Sequence, residues 1–263
     1  MKHPPVVLAI GGLDPTGQAG LAADLRAGAY IGALIAPVAA ALTVQSQAGV
    51  RQVQAVAADF LTSQIQAALR SLPVAAIKIG LLPSAAQVRA VAEALEEVPG
   101  LPVVLDPVLG ATLGGSLVQP DYLPALKSAL LPRLNLLTPN LPEAEALLGR
   151  PLGTSRGDLE AAARDLLGLG CGAVLLKGGH LSGAQSPDLL AEPGSLTWLE
   201  GERIDTANTR GTGCTLATLI AAHLALGVEL REACQIAKKL MTQLVSEGKE
   251  TQWPMGPGPV GLG

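Results

Sequence analysis

A chain of 263 residues, 49% apolar by type, can bury a large core and suits one large α/β domain. Its 18 basic and 22 acidic residues leave a net charge of −4 without any basic tract, which excludes the electrostatic footprint of a nucleic-acid binder. The longest mostly apolar run, 33–44, is interrupted by Pro37 and falls short of the roughly 18 residues a membrane span needs. Cys171, Cys214 and Cys234 lack metal-type spacing and read as free thiols of a reducing compartment. Lys2 precedes a short apolar stretch that Asp14 ends, with no Ala-x-Ala site after it, so the sequence predicts a cytoplasmic protein without a signal peptide.

In chain order, residues 6–10 form a buried-strand pattern, followed by a glycine-rich loop and a helix over 18–30. A strand at 37–44 precedes a helix over 60–72, for which Asp59 is the expected N-cap. Residues 74–79 read as a strand, and Ser84 with Gln87 predicts a capping box opening a helix to about 98. Strands at 103–105 and 134–137 flank a helix at 122–131, and a helix over 158–169 leads to a strand at 173–176. The stretch 189–204 holds two short β-like runs that suit a small antiparallel edge, and helices over 214–226 and 230–248 follow. Strand–helix alternation with continuously apolar strands predicts a mostly parallel central sheet with helices on both faces. No internal repeat or linker divides the chain, so residues 1–263 are expected to form a single domain. The Gly/Pro-rich tail, 253–260, cannot be helical and on composition alone reads as a frayed end.

Parallel α/β sheets bind ligands at the carboxyl ends of their strands, so the polar residues there carry the functional signal. The first loop, Gly11 to Gly20, has Gly12 and Gly17 at P-loop spacing, but Gln18-Ala19 replaces the lysine and hydroxyl that phosphate and magnesium require. The Gly168 to Ala173 string precedes its strand, so a dinucleotide-binding fingerprint is unsupported too. Gln45 follows the second strand and offers an acceptor and two donors, which suits an aminopyrimidine edge as well as plain solvation. Asp106, ending the fourth strand, suits a cation or a lysine, or else caps the next turn. Thr138-Pro139-Asn140-Leu141-Pro142-Glu143 is either an ordinary helix start or an Asn-x-x-Glu element beside hydrated Mg²⁺. Lys177 stands at a strand end where it can neutralise phosphate, whereas His180 reads as a loop or stacking residue. Asn208-Thr209-Arg210-Gly211-Thr212-Gly213-Cys214-Thr215 opens an apolar helix. It is either a plain glycine turn or an anion site with a thiol in the first helical turn, where a thiolate is favoured.

In this order, from Ile10 to Val260, these stretches resemble the ribokinase-like superfamily, and within it the hydroxymethylpyrimidine/phosphomethylpyrimidine kinases of thiamine biosynthesis. Lys78-Ile79-Gly80-Leu81-Leu82 and the Gly-x-Gly-Pro-Val tail add to the likeness, which speaks against a frayed terminus. The resemblance implies an ATP-dependent kinase that phosphorylates 4-amino-5-hydroxymethyl-2-methylpyrimidine to its monophosphate and then its diphosphate. It also implies a homodimer acting on a small-molecule pyrimidine, with neither nucleic acid nor membrane as a partner.

By position, Gly12, Asp24, Gln45, Leu81 and Val108 are expected around the pyrimidine. Asp106, Thr138, Asn140, Glu143, Lys177, Asn208 and Thr212 are expected to serve Mg-ATP, with Asp106 and Glu143 toward Mg²⁺. Gly211, Thr212, Gly213, Cys214 and Lys177 are expected at the transferring phosphate, with Cys214 accepting the hydroxyl proton in the first step. Against the family pattern, Leu13 replaces a small hydroxyl residue, Gln18 a glycine, Leu81 a methionine and Arg210 a histidine. The flap Ala111-Thr112-Leu113-Gly114 lacks the usual lysine. Two alternatives are a pyridoxal kinase on the same scaffold, disfavoured because 109–115 contains no flap cysteine, and a non-catalytic pyrimidine-binding protein.

Overall fold

A single sheet of nine strands runs through the computed structural model, which describes residues 3–46, 48–110, 117–253 and 256–261. Its strands are β1 (Val6–Leu13), β2 (Leu34–Ser46), β3 (Gly49–Ala55), β4 (Val74–Ile79), β5 (Val103–Leu105), β6 (Leu136–Leu137), β7 (Val174–Leu176), β8 (Asp188–Glu192) and β9 (Ser195–Leu199). They lie in the order β3-β2-β1-β4-β5-β6-β7-β8-β9. From β2 to β7 neighbouring strands are parallel, while β3 joins one edge and β8 and β9 the other in antiparallel fashion. The antiparallel pair expected within 189–204 is therefore present, and a second antiparallel edge, β3, lies opposite it. That strand escapes an apolar-run criterion because Arg51, Gln52 and Gln54 face solvent.

β1 explains why the central strands read as unbroken apolar runs. Leu8 and Ile10 point into one core, Val7 and Ala9 into another, and helices seal both. The first core takes Leu61 and Ile65 of α2 (Ala58–Ser71), Val88 and Val91 of α3 (Ala85–Glu96), and Tyr122 and Ala125 of α4 (Tyr122–Ala125). It also takes Leu147 of α5 (Leu141–Leu148) and Leu159 of α6 (Arg156–Leu167). The second takes Leu21 of α1 (Gly20–Tyr30), Leu219 of α7 (Thr212–Ala225) and Leu244 of α8 (Leu230–Gly248). The helix expected at 122–131 is α4 continued by a wide π-helical turn, Leu126–Leu130, and a 3-10 turn, Leu131–Arg133.

Two caps differ from expectation. α2 starts two residues early, so Asp59 lies inside its first turn and accepts from the Phe60 N–H at 2.8 Å, while Ala57 occupies the cap position. Ser84 does cap α3, but the Gln87 amide turns away to donate to the carbonyls of Ala40 and Val56 at 2.7 and 2.6 Å. A tertiary bond joining α3 to the β2 side of the sheet thus replaces the return half of the capping box.

The tail is docked, not frayed. Asn208 donates to the carbonyls of Gly248 and Thr251, both at 2.8 Å, and accepts from the Gly258 N–H at 2.7 Å. Val260 is buried in the second core. The tail thereby braces the loop that feeds α7, whose N-terminus meets the carboxyl ends of the parallel strands.

Candidate active site

The loops after β1, β4, β5, β6 and β7 and the first turn of α7 enclose a cleft of about 890 Å³. Two charge clusters define it. At the open one, Lys177 Nζ lies 2.6 Å from Asp106 Oδ1 and 3.8 Å from Glu143 Oε2. β5 delivers Asp106, β7 delivers Lys177, and α5 delivers Glu143 from its first turn. Glu143 and Asn140 form a complete capping box: Asn140 N–H donates to Glu143 at 2.7 Å, and Glu143 N–H to Asn140 Oδ1 at 2.9 Å. The helix start expected of this motif is present, and it sets both residues at the cleft. Burial pushes the Glu143 carboxyl up to about 7, with Asp106 adding to the shift and Lys177 opposing it. Burial disfavours the Lys177 ammonium, but Asp106 and Glu143 outweigh that and hold it charged above the ordinary lysine range.

α7 starts against this cluster. Gly211 takes the left-handed conformation, with φ of 77°, and a Cβ there would run into the Gln18 carbonyl. A Cβ on Gly213 would stand 3.0 Å from Asp106 Oδ2 and 3.3 Å from Lys177 Nζ. Only a bare backbone leaves room there for a ligand between helix and lysine. The N–H groups of a first helical turn lack helical partners and carry partial positive charge, so this cradle suits an anion.

The second cluster is sealed behind the cleft wall. Lys78 donates to both carboxylate oxygens of Asp24 at 2.9 Å, and the Thr218 hydroxyl donates to Asp24 Oδ1 at 2.7 Å. Burial pushes the Asp24 carboxyl up, while Lys78 and Thr218, which make three hydrogen bonds to its two oxygens, oppose the shift. Burial also works against the Lys78 charge, but Asp24, then Cys214 and Asp106, hold the ammonium above its ordinary range. Cys214, half-buried at the cleft edge, has its thiol pushed up to about 11 by burial, with Asp24 and Asp106 adding and Lys78 and the Gly20 N–H opposing. Burial thus works against the thiolate that a helix start favours, so that the fold favours the neutral thiol.

A family model for phosphomethylpyrimidine kinase matches residues 14–261. The chain belongs to that family. The hydroxymethylpyrimidine/phosphomethylpyrimidine kinase of Escherichia coli (strain K12) is 39% identical over 253 residues, 96% of this chain and 95% of that protein. The phosphomethylpyrimidine kinase structure from Clostridium difficile 630 superposes with a TM-score of 0.79 at 32% identity, covering 90% of this chain and 98% of the other. The Staphylococcus aureus pyridoxal kinase in complex with AMP-PCP and pyridoxal superposes with a TM-score of 0.86 at 28% identity, covering 99% and 94%. The ribokinase-like fold expected from the sequence is the fold observed.

In this kinase-family chain, Gly12, Gln45, Leu81, Val108, Asp106, Asn140, Glu143, Lys177 and Gly211 to Cys214 all line the cleft. Three expected contacts do not reach it. Asp24 is fully buried, because pairing with Lys78 turns it inward, and so it stands behind the cleft wall. Thr138 is buried and donates to the Leu105 carbonyl at 3.3 Å and to Asp106 Oδ1 at 3.4 Å, so it orients Asp106. Asn208 is consumed by the tail. The flap 111–114 lies outside the described residues.

Lys78 and Asp14 went unassigned in the sequence. A lysine inside the otherwise apolar run 74–79 was the available signal for the first. Asp14 accepts from Thr16 N–H at 2.8 Å, Ala19 N–H at 3.0 Å and Gln45 Nε2 at 3.4 Å, so it shapes the first loop and holds Gln45. His180 lines the cleft, and burial, then Lys177 and Arg203, keep its imidazole below the ordinary histidine range. For Mg²⁺ the donor set fits. Asp106 and Glu143 offer hard oxygens, and Mg²⁺ typically needs only one or two carboxylates beside water and phosphates. Among the described residues, no group of three or more His, Cys, Asp or Glu that could hold a metal ion occurs.

Proposed function

We propose that this kinase transfers the γ-phosphoryl group of ATP to the hydroxymethyl oxygen of 4-amino-5-hydroxymethyl-2-methylpyrimidine, and then phosphorylates the resulting monophosphate. The observation that carries the reading is the charged ammonium of Lys177, held between Asp106 and Glu143 and facing the side-chain-free Gly213. In each step the acceptor oxygen bonds to Pγ as the Pγ–O bond to ADP breaks. The transition state is loose, so positioning and charge neutralisation supply most of the catalysis. Lys177 and the backbone N–H groups of Gly211 to Cys214 meet the charge that develops on the moving group. Asp106 and Glu143 would hold Mg²⁺, which when bound draws charge from the β- and γ-phosphates.

Proton handling follows from the neutral Cys214 thiol. With its thiol pushed up by burial, Cys214 is a poor acceptor for the hydroxyl proton of the first step, which in a loose transition state leaves late, to a phosphoryl oxygen or water. In the second step the acceptor is a phosphate monoester with a second pKa of about 6, so it arrives largely ionised. Gln45, held by Asp14, supplies amide hydrogen bonding to the aminopyrimidine edge, and Leu81 and Val108 pack on its faces.

A homodimer is part of the same proposal, supported by exposed Leu13, Leu42 and Val44 around the β2–β3 edge. Three free cysteines support a reducing, cytoplasmic setting. Among the described residues, no helix is long and apolar enough to cross a membrane. The test is turnover of Mg-ATP with the hydroxymethylpyrimidine, its monophosphate and pyridoxal side by side. Sequential mono- and diphosphate formation is expected, and turnover of pyridoxal alone would overturn the assignment.

A further inference from the structure

Arg210 carries a permanent charge, lines the cleft, and is only 8% exposed. Its backbone is fixed by the tail, with its N–H donating to the Gly258 carbonyl at 3.1 Å, and α7 begins two residues later. The guanidinium, by contrast, is unengaged. Its Nε is shut away from solvent without a hydrogen-bond partner, and among the described residues no carboxylate pairs with it. The lysines around the cleft differ: buried Lys78 and half-buried Lys177 and Lys238 each have an aspartate within 2.9 Å. A charge left unpaired in the interior is strongly unfavourable, so such a site is balanced when an anion joins it.

Neighbouring packing indicates which anion. Gly211, directly after Arg210, sits against the Gln18 carbonyl, and its Cβ position lies 3.3 Å from the Ala23 side chain. Gln18 belongs to the loop that contains Gly12, and Ala23 to the helix after it, the side that the proposed function gives to the pyrimidine. Lys177 is the cation that the same proposal gives to the nucleotide phosphates. We infer that Arg210 binds a phosphate group, and that this phosphate belongs to the monophosphorylated acceptor of the second step. The inference rests on the proposed double phosphorylation for the acceptor's identity but not for phosphate binding itself. The planar guanidinium donates paired N–H bonds to phosphate oxygens, recognition that a neutral alcohol acceptor does not call on.

The experiment compares Arg210→Gln, Arg210→Lys and Arg210→His with the parent enzyme. For Arg210→Gln, the KM for the monophosphate should rise at least about tenfold, as for a lost hydrogen bond to a charged group, while the KM values for the alcohol and ATP change less than about twofold. Arg210→Lys should recover part of the loss. In Arg210→His, the monophosphate KM should climb more steeply than the parent's between pH 6 and 8, as an imidazole with a pKa of about 6.5 discharges. The rise in thermal midpoint caused by inorganic phosphate should shrink in Arg210→Gln, a readout that survives even if the pyrimidine proves not to be the substrate. A rise confined to the KM for ATP, equal in both steps, would move the phosphate to the nucleotide and overturn the acceptor assignment. Unchanged KM values with an unchanged phosphate-induced shift would overturn the inference altogether. If Arg210→Gln fails to fold, the pH comparison in Arg210→His decides it.

Discussion

Lys78 and Lys177 are each paired with an aspartate, Asp24 at 2.9 Å and Asp106 at 2.6 Å, but they differ in what lies on their other side. Around Lys78 the pairing is saturated: both Asp24 oxygens accept from it, and Thr218 of α7 closes the set. Lys177 faces a second carboxylate, Glu143, and the bare backbone of Gly213. One pair has its charge consumed within the fold, while the other keeps charge available to a ligand. A lysine–aspartate contact near a cleft therefore says little until the remaining neighbours of each partner are counted.

Substitutions can break or sharpen this contrast. Lys78→Met should have the largest effect, destabilising the protein by about 3–5 kcal/mol in chemical denaturation, because it strands a buried carboxylate. Adding Asp24→Leu should restore much of that stability, and a double variant no more stable than the single one would show that the pair is more than a structural tie. Lys177→Met should instead lower single-turnover rates about 10²- to 10³-fold, the scale of losing an oxyanion donor, with a smaller loss of stability than Lys78→Met because Asp106 and Glu143 border the cleft. A stability loss matching that of Lys78→Met would erase the distinction. Cys214→Ala lies between the clusters and should slow both phosphorylations by a similar factor of about ten, consistent with loss of a weak thiol donor. Because the neutral form is favoured in the fold, thiolate appears only as pH rises toward about 11, so alkylation of Cys214 should be slow at neutrality and accelerate with pH. Rapid alkylation at neutral pH, with a selective loss of the first step, would restore the proton-acceptor role.

The parts of the site legible in the sequence are those whose chemistry is local. Asp106 and Lys177 stand directly after apolar strands, and Asn140 and Glu143 announce a helix start three residues apart. Asp24 misleads because its partner lies 54 residues away, and only the packing of α1 on β4 reveals that it faces inward. Cys214 misleads for a related reason: a helix N-terminus is a local feature, while the desolvation that overrides it comes from the surrounding fold. β3 was missed because its polar, edge-strand sequence lacks the apolar run that betrayed the central strands. Asn208 belongs to the motif in sequence but to the tail in space.

That last attachment has a consequence in time. Gly258 reaches its acceptor on Asn208 across 50 residues of chain. At typical synthesis rates of about 5–20 residues per second, the glycine loop waits several seconds for the segment that braces it. For most of that interval the sheet and both charge clusters are already translated, yet the phosphate cradle has no support from behind. Catalytic competence should therefore follow docking of the tail, as a separate event from formation of the sheet.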